Sequence, residues 1–137
     1  MILMISRMVA RLVTATLVVY WLLLLLGTHV PSPPLGGVQV SDKWLHFHAY
    51  LGLAFLLACT FTVYRRPRWR TYIYLAAIVL AYGALDELAQ LPIAGRSADI
   101  QDWLADATGA ASGLALHRIA LAVYERFTRD AARSPAL

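Results

Sequence analysis

The chain has 137 residues, of which 60% are hydrophobic and only 15% charged, with a net charge of +4. Soluble domains carry about 25% charged residues, so this composition excludes an ordinary soluble enzyme and points to a membrane protein. The basic residues flank apolar runs instead of forming one stripe, which argues against a nucleic-acid partner.

Residues 9–27 are the first predicted span. Its core, LVVYWLLLLLG, is long enough to cross roughly 27–30 Å of hydrocarbon. Arg7 and Arg11 resemble the charged start of a signal peptide. No small-x-small cleavage site follows around Gly27-Thr28-His29, so the segment reads as a retained anchor. The stretch HVPSPPLGGVQVSD is a loop by its Pro, Gly and Ser content. The second span starts at Asp42 and Lys43, continues to about Tyr64, and stops before Arg65, Arg66, Arg68 and Arg70, with Pro67 blocking continuation. Residues 71–91 form the third span, closed by Pro92 and a turn that carries Gly95 and Arg96. The fourth begins near Asp99 and reaches about His117. Residues 118–137 follow as a helical tail that leaves the membrane or lies on its surface. Cys59, the single cysteine, can form no internal disulfide.

The expected fold is all-α, a single membrane domain over 1–137 built as a bundle of four transmembrane helices. With four spans, ten of the twelve basic residues fall on one side and only Lys43 and Arg96 on the other. Positive charge stays inside, so both termini are expected in the cytoplasm. Trp44, Trp69 and Trp103 fall at span ends, where aromatic belts sit. Six of the eight acidic residues (Asp42, Asp86, Glu87, Asp99, Asp102 and Asp106) then gather near the outer ends of spans two, three and four.

These residues come with helical spacings. Lys43, His46 and Tyr50 share one face of span two, and Asp42 can cap that helix or reach His46 at i+4. His48 points toward Trp44. On span three Glu87 and Gln90 share a face, and Asp86 and Gln90 pair at i+4. On span four Asp99, Asp102, Asp106, Gly109 and Gly113 form one stripe, carboxylates outermost and glycines deeper, a pattern that brings the stripe against a neighbouring helix. Asp99 also reads as a plain N-cap, and Arg96 as either an anion binder or a salt-bridge partner of Asp99 or Asp102. A histidine beside carboxylates can act as base, nucleophile or metal ligand, or simply join two helices. Ionisable groups at a membrane edge are costly and mark a site by default. No standard metal spacing, nucleophile motif or phosphate loop is present, so no metal and no cofactor is expected. His29 and His117 look incidental.

DKWLHFHAY followed by DELAQLPIAGRSADIQDWLADATGAASG resembles the VanZ-like family of small bacterial membrane proteins. The matching positions are Asp42, Lys43, His46, Tyr50, Glu87, Gln90, Gly95, Arg96, Asp99, Asp102, Gly109 and Gly113, within a core of residues 42–113. Asp106 departs from the pattern, which usually has Asn there. The resemblance implies a multi-pass protein of the cytoplasmic membrane, in a family whose founding member is associated with resistance to teicoplanin, a lipidated glycopeptide.

Together these readings give an outer-face polar pocket for a lipid-linked or lipidated molecule. His46, Glu87 and Asp102 are its candidate catalytic groups. Lys43, Tyr50, Gln90, Arg96, Asp99 and Asp106 are its candidate binding groups. The expected partners are membrane lipids and a lipid-linked envelope precursor or lipoglycopeptide. A lipid-directed hydrolase or transferase, a non-enzymatic lipid or antibiotic binder, and a small transporter or channel-like protein all remain open.

Overall fold

The computed structural model describes residues 2–29, 41–92 and 99–133. They form four helices in chain order: α1 (Ile2–His29), α2 (Asp42–Tyr64), α3 (Trp69–Gln90) and α4 (Ile100–Arg133). The first three are long and apolar enough to cross a membrane.

The helix ends have local causes. The N–H groups of Trp44 and Leu45 donate to the Ser41 carbonyl, so Ser41, not Asp42, holds the cap position of α2. Asp42 sits in the first turn, where the positive end of the helix dipole favours a carboxylate. At the other end Arg65 turns extended, two residues ahead of Pro67. Helix α3 opens with the Arg68 N–H donating to Thr71 Oγ1 at 3.1 Å. It closes ahead of Pro92, which has no N–H to continue the ladder.

Helix α4 takes in the helical tail expected from the sequence. Its 34 residues continue unbroken past His117 to Arg133, because no proline or glycine interrupts residues 118–133. Residues 118–133 of the expected tail therefore continue the helix of the fourth segment.

Cross-helix contacts give the directions. Helix α2 meets α4 at Lys43 with Asp102, His46 with Asp106, Thr62 with His117 and Arg66 with Glu125, so the two run parallel. Helix α3 runs against α4, with Tyr72 bonded to His117 and Glu87 to the Asp99 backbone. Helix α1 runs against α2, with Thr14 near Tyr64 and Tyr20 bonded to Ala49. Helix α4 thus lies alongside all of α2, whose 23 residues span about 35 Å.

In lipid the hydrophobic effect does not pull helices together, so close packing and polar contacts must do it. Small residues make this possible. A Cβ on Gly109 would run into the Phe47 carbonyl oxygen, and one on Gly113 into that of Leu51. The α2 and α4 backbones touch there. Tyr50, Ala54, Ala58, Leu75, Val79, Ala110 and Leu114 fill the rest of the seam. Helix α1 is more peripheral: Ala10, Leu17 and Leu24, seven residues apart, are its buried stripe. Leu12, Leu22, Leu23, Leu25 and Leu26 on α1, like Ile73, Ile78 and Leu88 on α3, face outward. An outward apolar surface is what a bilayer solvates.

Candidate functional site

One end of the bundle collects the hydrophilic side chains of all four helices. Those of His46, Asp86, Glu87, Gln90, Asp102 and Asp106 are buried. The opposite end carries the arginines, with Arg66 paired to Glu125 at 2.8 Å.

At the centre, His46 Nδ1 lies 2.9 Å from Asp106 Oδ1, a buried contact between α2 and α4. Glu87 Oε1, from α3, stands 3.9 Å from the same nitrogen. The partner of His46 is therefore Asp106 on another helix. Asp42, one turn back on α2, brings a carboxylate oxygen within 4.8 Å of a His46 nitrogen. The tie to Asp106 leaves Nε2 as the ring nitrogen open to chemistry. Tyr50, one turn below, is fully buried and stacks on His46 at 6.5 Å between ring centroids. Gly83 makes room for this layer: a Cβ there would approach Asp106 Oδ2 at 3.1 Å and Tyr50 Cε1 at 3.2 Å.

An outer layer is built around Lys43. Its Nζ reaches Asp99 Oδ2 at 3.1 Å and Asp102 Oδ1 at 3.3 Å. Asp99 does three things at once. Its Oδ1 accepts the Gln101 N–H at 2.8 Å, capping α4; its Oδ2 meets Lys43; its own N–H donates to Glu87 Oε2 at 3.0 Å. The Gln101 N–H, and then Lys43, hold the Asp99 carboxyl below the usual carboxylate range. The cap therefore persists through neutral pH and is released only as pH falls through that lowered value.

A third group sits against α1. Asp86 Oδ1 accepts from Thr28 Oγ1 at 3.1 Å and lies 3.8 Å from His29 Nδ1, while Oδ2 accepts from Gln90 at 3.4 Å. The predicted Asp86–Gln90 pair is present. Thr28 escaped the sequence reading, and His29 is not incidental, standing beside Asp86 at the end of α1. His117 is not incidental either: buried at the arginine-rich half, it joins Thr62 and Tyr72 at 3.1 Å each.

Two aromatic expectations divide. Trp44 and Trp69 are exposed at span ends, but Trp103 is half-buried and donates from Nε1 to the Leu80 carbonyl at 3.1 Å. It ties α4 to α3 from the first turn of α4. His48 does bond the Trp44 carbonyl, away from the site.

A cavity of about 240 Å³ leads to this cluster from between α1 and α2. Leu24, Gly27 and Thr28 line it on α1, and Asp42, Leu45, His46, Ala49 and Tyr50 on α2. Of the residues named from sequence, Lys43, His46, Tyr50, Glu87, Gln90, Asp99, Asp102 and Asp106 thus come together at one end. Gly95 and Arg96 lie outside the described residues. His46, Glu87 and Asp106 bring potential ligand atoms within 4.8 Å of one another, from three different helices. A linear spacing motif cannot show such a set.

The VanZ/LLP1 family description matches residues 4–121. The chain belongs to the VanZ/LLP1 family. No curated protein and no solved structure matches it. The match reaches through α1, which carries none of the motif residues but supplies one wall of the cavity. This VanZ-like chain is a multi-pass membrane protein, and Lys43, His46, Glu87, Gln90, Asp99 and Asp102 line or brace the buried end of its bundle.

Proposed function

We propose that this VanZ/LLP1 protein crosses the cytoplasmic membrane four times, with both termini inside. In this reading its extracytoplasmic polar pocket takes the headgroup of a lipid-linked or lipidated molecule. The observation that carries the reading is the cavity, because it joins a lipid-facing cleft to a buried histidine. Leu24, Leu45 and Ala49 offer an apolar approach, and His46 and Asp42 wait at the polar end. Its 240 Å³ equals about eight waters at ~30 Å³ each. That suits one phosphate, one acyl linkage or a segment of lipid tail, and is too small for the body of a glycopeptide.

The chemistry within reach is hydrolysis or transfer at a phosphate or acyl group. His46 acts as base through Nε2, Asp106 orients its ring, and Glu87 and Asp102 carry the negative field around it. Among the described residues Lys43, 43% exposed at its side chain, is the cation available to an incoming anion. The engagement of Lys43 by two carboxylates also favours a second reading, in which the pocket binds and shields a lipid without turning it over. Lys43→Arg and Glu87→Asp separate the two. A binder tolerates both, and a catalyst loses most turnover of a lipid phosphate. A transporter is disfavoured, since every described helix is continuous and none is broken at depth.

Filling the cavity is the direct test. Native mass spectrometry of the detergent-purified protein should show one polyprenyl phosphate per chain. Ala49→Trp should weaken that complex about tenfold or more, as lost apolar contact and steric exclusion of this size are worth at least ~1.4 kcal/mol. Equal binding by Ala49→Trp would end the reading.

Orientation is tested separately. In a Cys59→Ser background, a membrane-impermeant maleimide should label Trp44→Cys in intact cells and Arg129→Cys only after lysis. The reverse pattern would invert the topology.

A further inference from the structure

Among the described residues, the buried end of the bundle holds more carboxylates than basic side chains. Asp99 and Asp102 share Lys43, and Asp86 is met by Thr28, Gln90 and His29. Glu87 and Asp106 have only His46 between them among the described charged groups. Both are deeply buried: Glu87 is 6% exposed and Asp106 1%. Each leaves one carboxylate oxygen, Glu87 Oε1 and Asp106 Oδ2, with no hydrogen-bond partner among the described residues. An oxygen in that state costs about 1–3 kcal/mol or more, so something should meet it. Glu87 Oε1 is aimed at the His46–Asp106 pair, 3.9 Å from Nδ1.

We propose that His46, Glu87 and Asp106 hold a divalent transition-metal cation, Zn²⁺ or Mn²⁺, between α2, α3 and α4. The proposal goes beyond the headgroup reading and does not depend on it. Ligand atoms bound about 2.1 Å from one ion stand roughly 3.0–3.4 Å apart for angles between 90° and 109°. The 2.9 Å and 3.9 Å separations around His46 Nδ1 bracket that spacing, so rotation of one carboxylate suffices. One imidazole with two carboxylates suits Zn²⁺ or Mn²⁺ better than Mg²⁺ or Ca²⁺, which prefer oxygen alone. Binding would select the neutral tautomer in which His46 carries its ring proton on Nε2 and presents the Nδ1 lone pair to the ion, with the Nε2–H on the far side of the ring.

A second set, Asp42, His46 and Asp102, also brings its ligand atoms within 4.8 Å. It is the weaker candidate. Asp102 is already bonded to the Lys43 ammonium, whose charge repels a second cation, and Asp42 is exposed. The inner set has no lysine or arginine against it among the described residues.

The test uses full-length protein in detergent, stripped with a chelator and dialysed against Zn²⁺, Mn²⁺, Mg²⁺ or Ca²⁺. Metal content is then read by inductively coupled plasma mass spectrometry. The expected result is about one Zn²⁺ or Mn²⁺ per chain and a higher melting temperature on restoring it. Asp106→Asn and Glu87→Gln keep the side-chain shapes and should each weaken binding at least about tenfold. Asp42→Asn should leave it within about twofold. Size exclusion and circular dichroism identify any variant that fails to fold, and the wild-type stoichiometry and melting shift decide the matter without it. Fewer than about 0.1 ion per chain, no melting shift, undiminished binding by the two inner variants, or loss of the ion in Asp42→Asn would each overturn the assignment. Polyprenyl phosphate binding by metal-free protein would leave the headgroup reading standing while this proposal failed.

Discussion

Gly109→Ala and Gly113→Ala are each expected to break the α2–α4 seam, the largest stability losses available to a single methyl group in this protein. The added Cβ meets the carbonyl oxygen of Phe47 or of Leu51. Neither is a side chain that can rotate away, so the helices themselves must separate. Overpacking typically costs about 1–3 kcal/mol, and backbone obstruction belongs at or above the top of that range. The seam also sets the depth of His46 against Asp106, so these variants should lose the site along with the fold. Two other glycines supply the scale. Gly52→Ala meets the hydroxyl of Tyr20, a side chain that can swing at the cost of its bond to the Ala49 carbonyl. Gly27→Ala meets nothing within 4 Å. Melting followed by fluorescence-detected size exclusion should rank them with Gly109 and Gly113 far below Gly52, and Gly27 at or above wild type. If Gly109→Ala melts like Gly27→Ala, the close α2–α4 approach does not exist.

His46→Ala carries the second large effect. It removes the hydrogen bond to Asp106 and the one described basic side chain within 4 Å of Glu87, leaving two buried carboxyl groups without it. Breaking one side of a buried pair costs about 3–5 kcal/mol, because the remaining charge stays desolvated. Neutralising the survivor should return much of that loss. His46→Ala combined with Asp106→Asn is therefore expected to melt closer to wild type than His46→Ala alone, a coupling on the order of 1–3 kcal/mol. A double-mutant cycle in detergent reads this directly. Strict additivity would mean that the two side chains do not meet.

The sequence made much of this visible, for physical reasons that differ from element to element. Helix α2 was legible at both ends, since Asp42 opens an apolar run and Arg65 with Pro67 closes it. The stripe Asp102, Asp106, Gly109, Gly113 was legible because buried positions on one face repeat at three and four residues, and those positions are indeed buried. The partner of His46 was not. Asp42, Asp99, Asp102 and Asp106 all lay within plausible reach, and pattern alone cannot set how far one helix slides along another. The contact of Gly109 with Phe47 sets it, placing Asp106 one turn further out, beside His46. Periodicity also could not find Trp103 bonded to Leu80, because an interfacial tryptophan and an inward one share the same hydropathy. The continuation of α4 past His117 was legible as a helical tail, since polarity changes the solvent of a helix without ending it.

The most direct test of the central claim is to map where a lipid phosphate sits. A polyprenyl phosphate carrying a photoreactive group near its headgroup would be irradiated with the purified protein, and the cross-linked peptides sequenced. Adducts are expected on α1 around Leu24 and Thr28 and on α2 from Asp42 to Tyr50, displaced by unlabelled lipid and diminished in Ala49→Trp. Adducts confined to the arginine-rich end, around Arg66, Arg118 and Arg129, would contradict it.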